Sequence, residues 1–440
     1  MRFLYNIFFI FGFLLSAPWY FLKMWRRGHW QRGVENRFGR YRTAIKQALT
    51  NRHIMWIHAV SVGEVNICTQ LIQTLQPRLP NIKIVVSTTT STGMGELKKK
   101  LPSHIEKIYY PIDRRNFVER ALATIHPEVI VLIEAEIWPN FLWRALDLEI
   151  PLFLVNARLS KKSYRGYRFF SFLFRPIFRK FSGVGCPSES DRDRLRTLGF
   201  RPSTIHVVGD LKYDAAKLEE RRMLDVRYLL QQLGAPPQAR LLLGGSTHAG
   251  EEAILARIFL RLRPRFPDLF LVLVPRHFER GKEVGRELDQ LGVNFIYRSE
   301  ITGSTRRDSG SVDCLLVNTT GELKFFYEEA AVIFVGKSLM AQGGQNPIEP
   351  GALGKAMVFG PNMQNFSGIA ESFVKMEGAV QVQDETELEK VLGDLLNDPA
   401  RCEQLGKNAL RVVKENQGAI ERTVNMIVEH FGDGEMHVAS

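Results

Sequence analysis

The sequence predicts an α/β protein with two doubly wound, Rossmann-like domains that follow an N-terminal membrane-anchor helix. Three observations carry this prediction: apolar runs that alternate with amphipathic segments, a length of 440 residues, and an almost wholly apolar N-terminus. Continuously apolar strands separated by helices are typical of parallel sheets covered on both faces. A chain of this length exceeds one ordinary hydrophobic core, which favours two domains.

The N-terminal stretch 3–22 comes first and is nearly free of polar residues. At about 20 residues it is long enough to cross the hydrocarbon core of a bilayer. Trp19 and Tyr20 close it, and a basic run then follows, namely Lys23, Arg26, Arg27 and Arg32. A cleaved signal peptide is the alternative, but signal peptides carry their positive charge before the apolar stretch. We expect residues 1–22 to be a single anchor with the rest of the chain in the cytoplasm. The pattern fits both a bilayer-spanning helix and a helix lying in one leaflet.

Twelve apolar runs beyond the anchor predict strands, and helical spacing between them, as in 66–79, predicts the covering helices. The charged stretch 214–240 contains Pro236 and Pro237 and is a natural joint. We therefore expect domains at 23–215 and 216–425, and a tail at 426–440. The predicted strands are 54–60, 82–89, 128–136, 151–157, 183–188 and 204–210, then 239–247, 269–277, 313–320, 331–338, 355–361 and 379–383.

Composition narrows the class of protein. A hydrophobic content of 45% with 24% charged residues indicates a globular chain and excludes a disordered one. The net charge of +12 favours anionic partners such as nucleic acid, phosphorylated metabolites or an acidic membrane surface. The 4 cysteines lie far apart, which argues against a zinc knuckle or a disulfide framework and fits a reducing compartment.

Polar motifs stand where the predicted strands end, and ligands of doubly wound sheets bind at those ends. The motifs are HAVSVGE (58–64), STTTSTG (87–93), IEAEIWPN (133–140), NARLS (156–160) and GDLKYD (209–214) in the first half. In the second half they are GGSTHAGEE (244–252), VPRH (274–277), TGEL (320–323) and GGQNPIEP (343–350).

In this order, these motifs resemble those of the 3-deoxy-D-manno-octulosonic acid (Kdo) transferases of lipopolysaccharide synthesis, over essentially the whole chain. The resemblance implies a GT-B fold with two domains that face each other across a cleft. It implies CMP-Kdo as the donor, a substrate rather than a cofactor, and a lipid A precursor, lipid IVA, as the acceptor. It also implies attachment to the inner membrane with the catalytic domains on its cytoplasmic face. Two positions depart from the family pattern: Gln345 stands where the family usually has His, and Asn318 where it often has Asp.

Glu64 follows a Ser-x-Gly turn at the start of a predicted helix. Considered alone, it is a glutamate in the first turn of a helix, where its negative charge interacts favourably with the helix dipole. The resemblance implies instead that Glu64 is the general base, which removes a proton from the acceptor hydroxyl in an inverting transfer.

Glu134 and Lys212 are the other two predicted catalytic residues. Alternation along a strand predicts that Glu134 and Glu136 point to one face, where a buried salt bridge is the simpler role. The resemblance implies that Glu134 and Lys212 stabilise the transition state. A lysine there can neutralise the departing phosphate or bind the sugar carboxylate.

In the second domain, the planar guanidinium group of Arg276 is suited to bind a phosphate or the hydrogen-bonding edge of a cytosine base. The turn at 244–252 can place backbone N–H groups around phosphate, although it lacks the P-loop spacing. By resemblance the CMP-binding residues are Pro275, Arg276, Gly321, Glu322, Leu323, Asn346, Pro347, Ile348 and Glu349.

Neither a metal nor a nucleic acid is predicted. Asp191 and Asp193 form a DxD string, but Ser188 or Ser190 is expected to cap a helix there and the two aspartates to diverge around it. Basic and aromatic residues interleave over 158–181, which also occurs in nucleic-acid binding proteins. A solvated helix face is the simpler alternative, but next to a membrane anchor we interpret this stretch as a surface that lies on anionic inner-membrane lipids and meets the phosphates of the acceptor.

Two other classes of function stay open on the residues. One is another membrane-associated GT-B enzyme that uses a UDP-sugar, such as a peptidoglycan glycosyltransferase or a nucleotide-sugar epimerase. The second is a membrane-tethered binding protein without catalysis. The presence of Glu64, Glu134, Lys212 and Arg276 argues against the second class.

Overall fold

Two parallel seven-stranded sheets, each covered by helices, organise the chain. The computed structural model describes residues 2–26, 33–134, 136–215 and 224–431. Contacts divide the chain into unit 1, Met1–Ala215 with Gln417–Ser440, and unit 2, Ala216–Asn416. The α/β class and the two parallel sheets predicted from the alternating pattern are confirmed.

Unit 1 has the strand order β3-β2-β1-β4-β5-β6-β7. Its strands are β1 His53–His58, β2 Ile82–Thr88, β3 Glu106–Tyr109, β4 Val129–Ile133, β5 Leu152–Val155, β6 Gly183–Cys186 and β7 Ile205–Val207. Its helices are α1 Arg2–Arg26, α2 Val34–Arg37, α3 Thr43–Leu49, α4 Val62–Leu75, α5 Ser91–Lys100, α6 Arg115–Ile125, α7 Pro139–Asp147, α8 Lys161–Phe169, α9 Ser171–Phe178, α10 Glu189–Leu198 and α11 Lys212–Ala215.

Alternate residues of the central strands pack on opposite faces, because successive side chains of a strand point to opposite sides. On one face Trp56 of β1 packs in a core with α6, α7, α9 and α10. On the other face Ile57 packs with α4 and α5. Chain order reverses between β1 and β4, which makes their carboxyl ends the topological switch point where ligands of such sheets bind.

Helix α1 is fastened to α7 by polar side chains of its first two turns. Arg2 forms a bidentate ion pair with Asp147, at 2.6 and 2.8 Å. The Tyr5 hydroxyl donates to the buried carboxylate of Asp113 at 2.7 Å, and the same carboxylate accepts the backbone N–H groups of Asn140 and Phe141 at the start of α7. Apolar side chains face away from this contact and are exposed, among them Phe3, Leu4, Phe8, Phe11, Leu14 and Leu15.

Among the helices of the described residues, none combines the length and the apolar content needed to cross a membrane. Within the basic run that follows the predicted anchor, Arg27 and Arg32 lie outside the described residues.

Unit 2 has the strand order β10-β11-β9-β8-β12-β13-β14, with its switch point between β8 and β12. Its strands are β8 Arg240–Thr247, β9 Leu269–Pro275, β10 Phe295–Tyr297, β11 Cys314–Leu316, β12 Ala330–Val335, β13 Met357–Phe359 and β14 Val380–Gln381. Its helices are α12 Val226–Gln232, α13 Glu251–Leu262, α14 Gly281–Gln290, α15 Leu323–Glu329, α16 Ile348–Ala352, α17 Ser367–Lys375, α18 Glu385–Asn397 and α19 Pro399–Asn416.

The last helix, α20 (Ala419–Val428), belongs to unit 1. The sequence placed the second domain through residue 425, and the structure differs because Val424 and Ile427 are buried in the unit 1 core beside α4. The Asp214 carboxylate also accepts the backbone N–H groups of Gly418 and Ile420, both at 2.8 Å. Of the predicted joint, residues 216–223 lie outside the described part, as do residues 432–440 of the predicted tail.

Candidate active site

Glu64 and Glu134 lie on the two sides of the switch point of unit 1. Glu64 stands in the first turn of α4, after β1, and Glu134 directly follows β4. Because β1 and β4 are adjacent and parallel, their carboxyl ends meet at one edge of the sheet. Residues 70 positions apart in the sequence are thereby brought together.

Glu64 caps its helix and is nevertheless an unusual carboxylate. With Ser61 it forms a capping box, in which its Oε2 accepts from Val60 N at 2.8 Å and its Oε1 from Ser61 N at 3.2 Å. The residue is 6% exposed. Burial, followed by the charge of Glu134, raises the pKa of Glu64 from 4.5 to about 7, although hydrogen bonds with Val60 and Ser61 oppose the shift. A carboxyl group with such a pKa can accept a proton at neutral pH.

Glu134 adopts a left-handed backbone conformation, with φ of 60°, immediately after the strand ends. Its Oε1 lies 3.5 Å from Lys212 Nζ, at the first residue of α11. The alternation argument for Glu134 and Glu136 does not apply, because β4 ends at Ile133 and both residues lie beyond the strand. Both carboxylates nonetheless raise the pKa of Glu64, so both lie close to it.

Glu136 is held differently. Its Oε2 accepts from the indole Nε1 of Trp138 at 2.9 Å, just before α7 begins. Burial raises the pKa of Glu136, and the charge of Glu134 adds to the effect. Three acidic side chains therefore surround the switch point, and Lys212 forms an ion pair with one of them.

Asn156 joins Glu134 to the loop that carries Lys212, and the sequence analysis gave it no role. It is fully buried and left-handed, with φ of 53°. Its Nδ2 lies 3.4 Å from Glu134 Oε1, and its Oδ1 accepts from Leu211 N at 3.3 Å. Asparagine tolerates this backbone region better than most residues, so its position in NARLS at a strand end was the available signal.

Two threonines of STTTSTG brace the loop before Glu64. The hydroxyls of Thr88 and Thr90 donate to the carbonyl of Val60, at 3.3 and 2.9 Å. Thr90 also caps α5. The loops after β1 and β2 are thereby tied together, which holds the Val60 N–H in place for Glu64.

In unit 2, Glu251 organises the two glycine-rich loops at the switch point. This fully buried carboxylate accepts four backbone N–H groups, those of His248, Lys337, Ser338 and Leu339, at 2.7–3.0 Å. The motif GGSTHAGEE was recognised in the sequence, but Glu251 was not assigned. A glutamate that opens a helix after a glycine-rich turn was the signal.

Two of the predicted donor residues, Glu349 and Arg276, lie near the phenol of Tyr327. Burial raises the pKa of Tyr327 well above its usual range; the charge of Glu349 adds to this, and that of Arg276 opposes it. Arg276 is exposed directly after β9, with its backbone N–H bonded to Thr247 O. Asn346 Nδ2 donates to Glu349 Oε1 at 3.1 Å. Arg276, Asn346 and Glu349 thus lie in one neighbourhood.

Three further residues predicted to bind the donor are buried and support the surrounding loops. Pro347 and Ile348 are buried at the start of α16, where Ile348 N donates to Asn346 Oδ1 at 3.1 Å. Pro275 ends β9 and is buried as well. Their side chains therefore shape the loops on which Arg276 and Glu349 stand.

The TGEL motif forms the turn into α15. Gly321 has φ of 86°, and Leu323 is the first residue of the helix. Glu322 binds Arg298 Nη2 at 2.9 Å and accepts from the Thr319 hydroxyl. The nearby departure Asn318 has a structural basis, because its Oδ1 accepts from Ser299 N at 3.0 Å and its Nδ2 donates to Ser299 Oγ at 2.8 Å. An aspartate there could accept from the backbone but could not donate to the hydroxyl while ionised.

The aspartates of the DxD string diverge, as predicted. Ser188 caps α10 by accepting from Asp191 N at 3.2 Å, while Asp191 and Asp193 pair with Arg194 and Arg196 respectively. Among the described residues, no group of three or more histidine, cysteine or acidic side chains is arranged to hold a metal.

Comparisons with known proteins agree with these motifs. A family model described as 3-Deoxy-D-manno-octulosonic-acid transferase (kdotransferase) matches residues 32–215. The 3-deoxy-D-manno-octulosonic acid transferase of Haemophilus influenzae is 30% identical over 376 residues, 85% of this chain and 86% of that protein. The enzyme of the same name from Bordetella pertussis is 30% identical over 430 residues, 94% of this chain and 97% of that protein.

Solved structures are similar in fold. The UDP-GlcNAc 2-epimerase from Neisseria meningitidis, solved with UDP-GlcNAc bound, has a TM-score of 0.59 at 14% identity and covers 86% of this chain and 100% of its own. This likeness concerns architecture alone, and it confirms a GT-B-like arrangement of two parallel sheets. Sequence identity to the transferases over nearly their whole length decides the family: the chain belongs to the Kdo transferases, glycosyltransferases of lipopolysaccharide biosynthesis.

Proposed function

We propose that the protein transfers Kdo from CMP-Kdo to a lipid A precursor, lipid IVA, with inversion at the anomeric carbon and with Glu64 as the general base. The observation that carries this proposal is a buried carboxylate with a pKa of about 7 at the switch point of unit 1. A base with a pKa near the working pH is half ionised there and still basic enough to take a proton.

In the proposed step, the acceptor hydroxyl oxygen forms a bond to the anomeric carbon of Kdo. Its proton passes to Glu64, while the bond from the anomeric carbon to the phosphate oxygen of CMP breaks and that oxygen keeps the electron pair. Each Glu64 carboxylate oxygen receives one backbone N–H and keeps a second lone pair for the proton.

Lys212 and Glu134 stabilise the charges that develop in the transition state. The Lys212 ammonium stabilises negative charge on the departing phosphate or the sugar carboxylate. Glu134, 3.5 Å from that ammonium, keeps the lysine oriented and, by its own charge, raises the pKa of Glu64. Buried Asn156 donates to the same Glu134 oxygen and helps to hold that side chain in place.

Unit 2 supplies the CMP site. Arg276 binds the phosphate or the cytosine edge, and Glu349 accepts hydrogen bonds from the ribose hydroxyls. Gly321, Glu322 and Leu323 line the nucleotide on the turn into α15. Pro275, Pro347 and Ile348 support these contacts from buried positions.

We also propose that α1 is the single membrane anchor and that the catalytic units lie on the cytoplasmic face of the inner membrane. The exposed apolar side of α1 supports this proposal, since Phe3 and Leu15 are 78% and 83% exposed. A contiguous apolar face of this kind marks an interaction site when the chain itself leaves it uncovered.

The decisive experiment incubates the full chain with CMP-Kdo and tetraacyl disaccharide bisphosphate and identifies the products by mass spectrometry. We expect the mass of the acceptor to increase by one or more Kdo residues, with release of CMP. A matched reaction with UDP-GlcNAc addresses the epimerase-like alternative. Turnover of UDP-GlcNAc with no turnover of CMP-Kdo would contradict the donor assignment, and binding without any turnover would indicate a non-catalytic protein.

A further inference from the structure

A groove lined by four arginines lies in unit 1, away from the residues assigned above. Arg175 is on α9, Arg179 directly follows that helix, Arg196 is on α10 and Arg201 is in the segment before β7; together they surround a cavity of about 590 Å³. Arg179 and Arg201 each stand four residues before the strand that follows them, β6 and β7. The groove is therefore at the amino ends of these strands, whereas Glu64 and Glu134 lie at the carboxyl ends of the same parallel sheet.

The side chains that line this groove carry mainly positive charge. Asp193 is its single lining carboxylate and pairs with Arg196 at 3.6 Å. Within the described residues, Arg175, Arg179 and Arg201 form no ion pair with a carboxylate, and Arg201 donates to the carbonyl of Phe181 at 3.2 Å. Guanidinium groups in this number are suited to a phosphate, which they can bind in bidentate fashion.

Gly199 determines where one of these arginines lies. It ends α10 with φ of 104°, a conformation that favours glycine. A Cβ at this position would lie 2.4 Å from Cγ of Arg175. The glycine thus allows the Arg175 stem to cross the helix end and places its guanidinium at the groove.

Exposed aromatic side chains lie near the start of α9, the helix that carries Arg175. Phe169, Phe170 and Phe172, at the turn from α8 to α9, are 77%, 45% and 55% exposed. Arg175 is three residues beyond Phe172, which is about one helical turn. Aromatic residues next to arginines are typical of a surface that lies in the interface of an anionic membrane.

We propose that this groove binds the phosphate of an anionic phospholipid headgroup while the three phenylalanines enter the boundary of the acyl chains. The inference rests on the membrane association proposed above but concerns a different site, on α9 and α10. It gives unit 1 a second point of attachment that selects lipids by charge, independent of α1 and of the acceptor.

The test uses the full chain in a neutral detergent and counts retained lipids by native mass spectrometry during titration with phosphatidylglycerol or phosphatidylcholine. We expect a preference for phosphatidylglycerol. Removing two charges with Arg175→Gln and Arg179→Gln is expected to weaken its binding about 30-fold, at about 1 kcal/mol for each basic residue near an anionic lipid. The matched control, Arg286→Gln with Arg411→Gln on exposed positions of unit 2, makes the same charge change and is expected to have no effect.

A third variant separates a built site from a generally basic surface. Arg175→Lys with Arg179→Lys keeps the charge but loses the guanidinium forks, so we expect it to bind clearly more weakly than the unchanged chain. Equal retention of both lipids, equal binding by the lysine variant, or an equal loss in the unit 2 control would each overturn the proposal. Glycerol phosphate that binds as tightly as the lipid would identify a soluble ligand instead, and would also overturn it.

Catalysis is measured separately on the same preparations. Kdo transfer in detergent micelles is expected to be unchanged in all three variants, because none of the substituted residues lies at the carboxyl edge of the sheet. An absence of transfer in every protein, the unchanged chain included, would count against the proposed function and not against the lipid site.

Discussion

Replacing Glu64 with Gln separates its helix-capping role from its proposed role as general base, because the change keeps the cap but leaves a side chain that cannot take the proton. Gln at this position can still accept one backbone N–H, and it is a normal member of a capping box. Loss of a general base usually lowers the rate by about 10²–10⁴. We therefore expect a folded variant whose transfer rate falls by this factor while its affinity for CMP is unchanged, since the proposed nucleotide contacts are all in unit 2.

The same substitution is expected to stabilise the protein at high pH. The pKa of Glu64 is raised from 4.5 to about 7, so ionisation is less favourable in the folded state than in the unfolded one. Stability from this carboxyl group is fully present below pH 4.5 and is lost as the pH rises to about 7. At about 1.4 kcal/mol per pKa unit, the loss at pH 8 is of the order of 3 kcal/mol. Neutral Gln avoids it, so Glu64→Gln should be more stable at pH 8 and nearly unchanged at pH 4.

The assay combines urea denaturation at both pH values with initial rates of Kdo transfer. Glu387→Gln is the control, because Glu387 accepts a backbone N–H in the same way at the start of α18 but is exposed. We expect this control to change neither the rate nor the pH dependence of stability. A folded Glu64→Gln protein with a near-normal rate would refute the catalytic role and make Glu134 the next candidate base. A variant with equal effects on stability at both pH values would refute the buried, raised-pKa environment.

Three further substitutions test the proposed nucleotide site, the support of Glu134 and the attachment of α1. Arg276→Ala should weaken CMP binding by about 1.5–3 kcal/mol, the value of a hydrogen bond to a charged group, and calorimetry with unchanged affinity would move the nucleotide elsewhere. Asn156→Ala should lower kcat and leave CMP affinity intact, because it frees Glu134 from one side; an unchanged kcat in a folded variant would remove Asn156 from the positioning role. Tyr5→Phe should cost about 1–2 kcal/mol locally, seen as faster hydrogen exchange in α1, and unchanged exchange would show that the Asp113 contact does not hold the helix.

The sequence pattern was sufficient for most of the fold. All twelve runs that were predicted as strands contain one, because parallel strands buried on both faces must be continuously apolar. The two strands missed are β3, with the residues EKIY, and β10, with the residues FIY. Both are short, and each lies at an edge of its sheet, where burial imposes a weaker pattern.

The sequence placed the candidate site residues at the ends of strands, but it said less about their physical chemistry. The helix cap at Glu64 follows from local spacing, but its raised pKa depends on Glu134, which only the pairing of β1 with β4 brings near. Alternation failed at Glu134 because it applies only within a strand. Apart from the local bond between Glu251 and His248, Asn156 and Glu251 act through bonds to residues 22 to 88 positions away, which no local pattern reports.

The return of α20 to unit 1 has a consequence for how the protein is made. The ribosome synthesises the chain from the N-terminus to the C-terminus, so the first 215 residues emerge long before Val424 and Ile427. These two residues complete the hydrophobic core of unit 1. Unit 2 is synthesised in between and can finish folding first. Asp214, which accepts hydrogen bonds from the start of α20, is on the same short helix as Lys212. We therefore expect Lys212, the proposed catalytic lysine, to reach its final position only at the end of translation, so that a nascent chain with a complete unit 2 is still inactive.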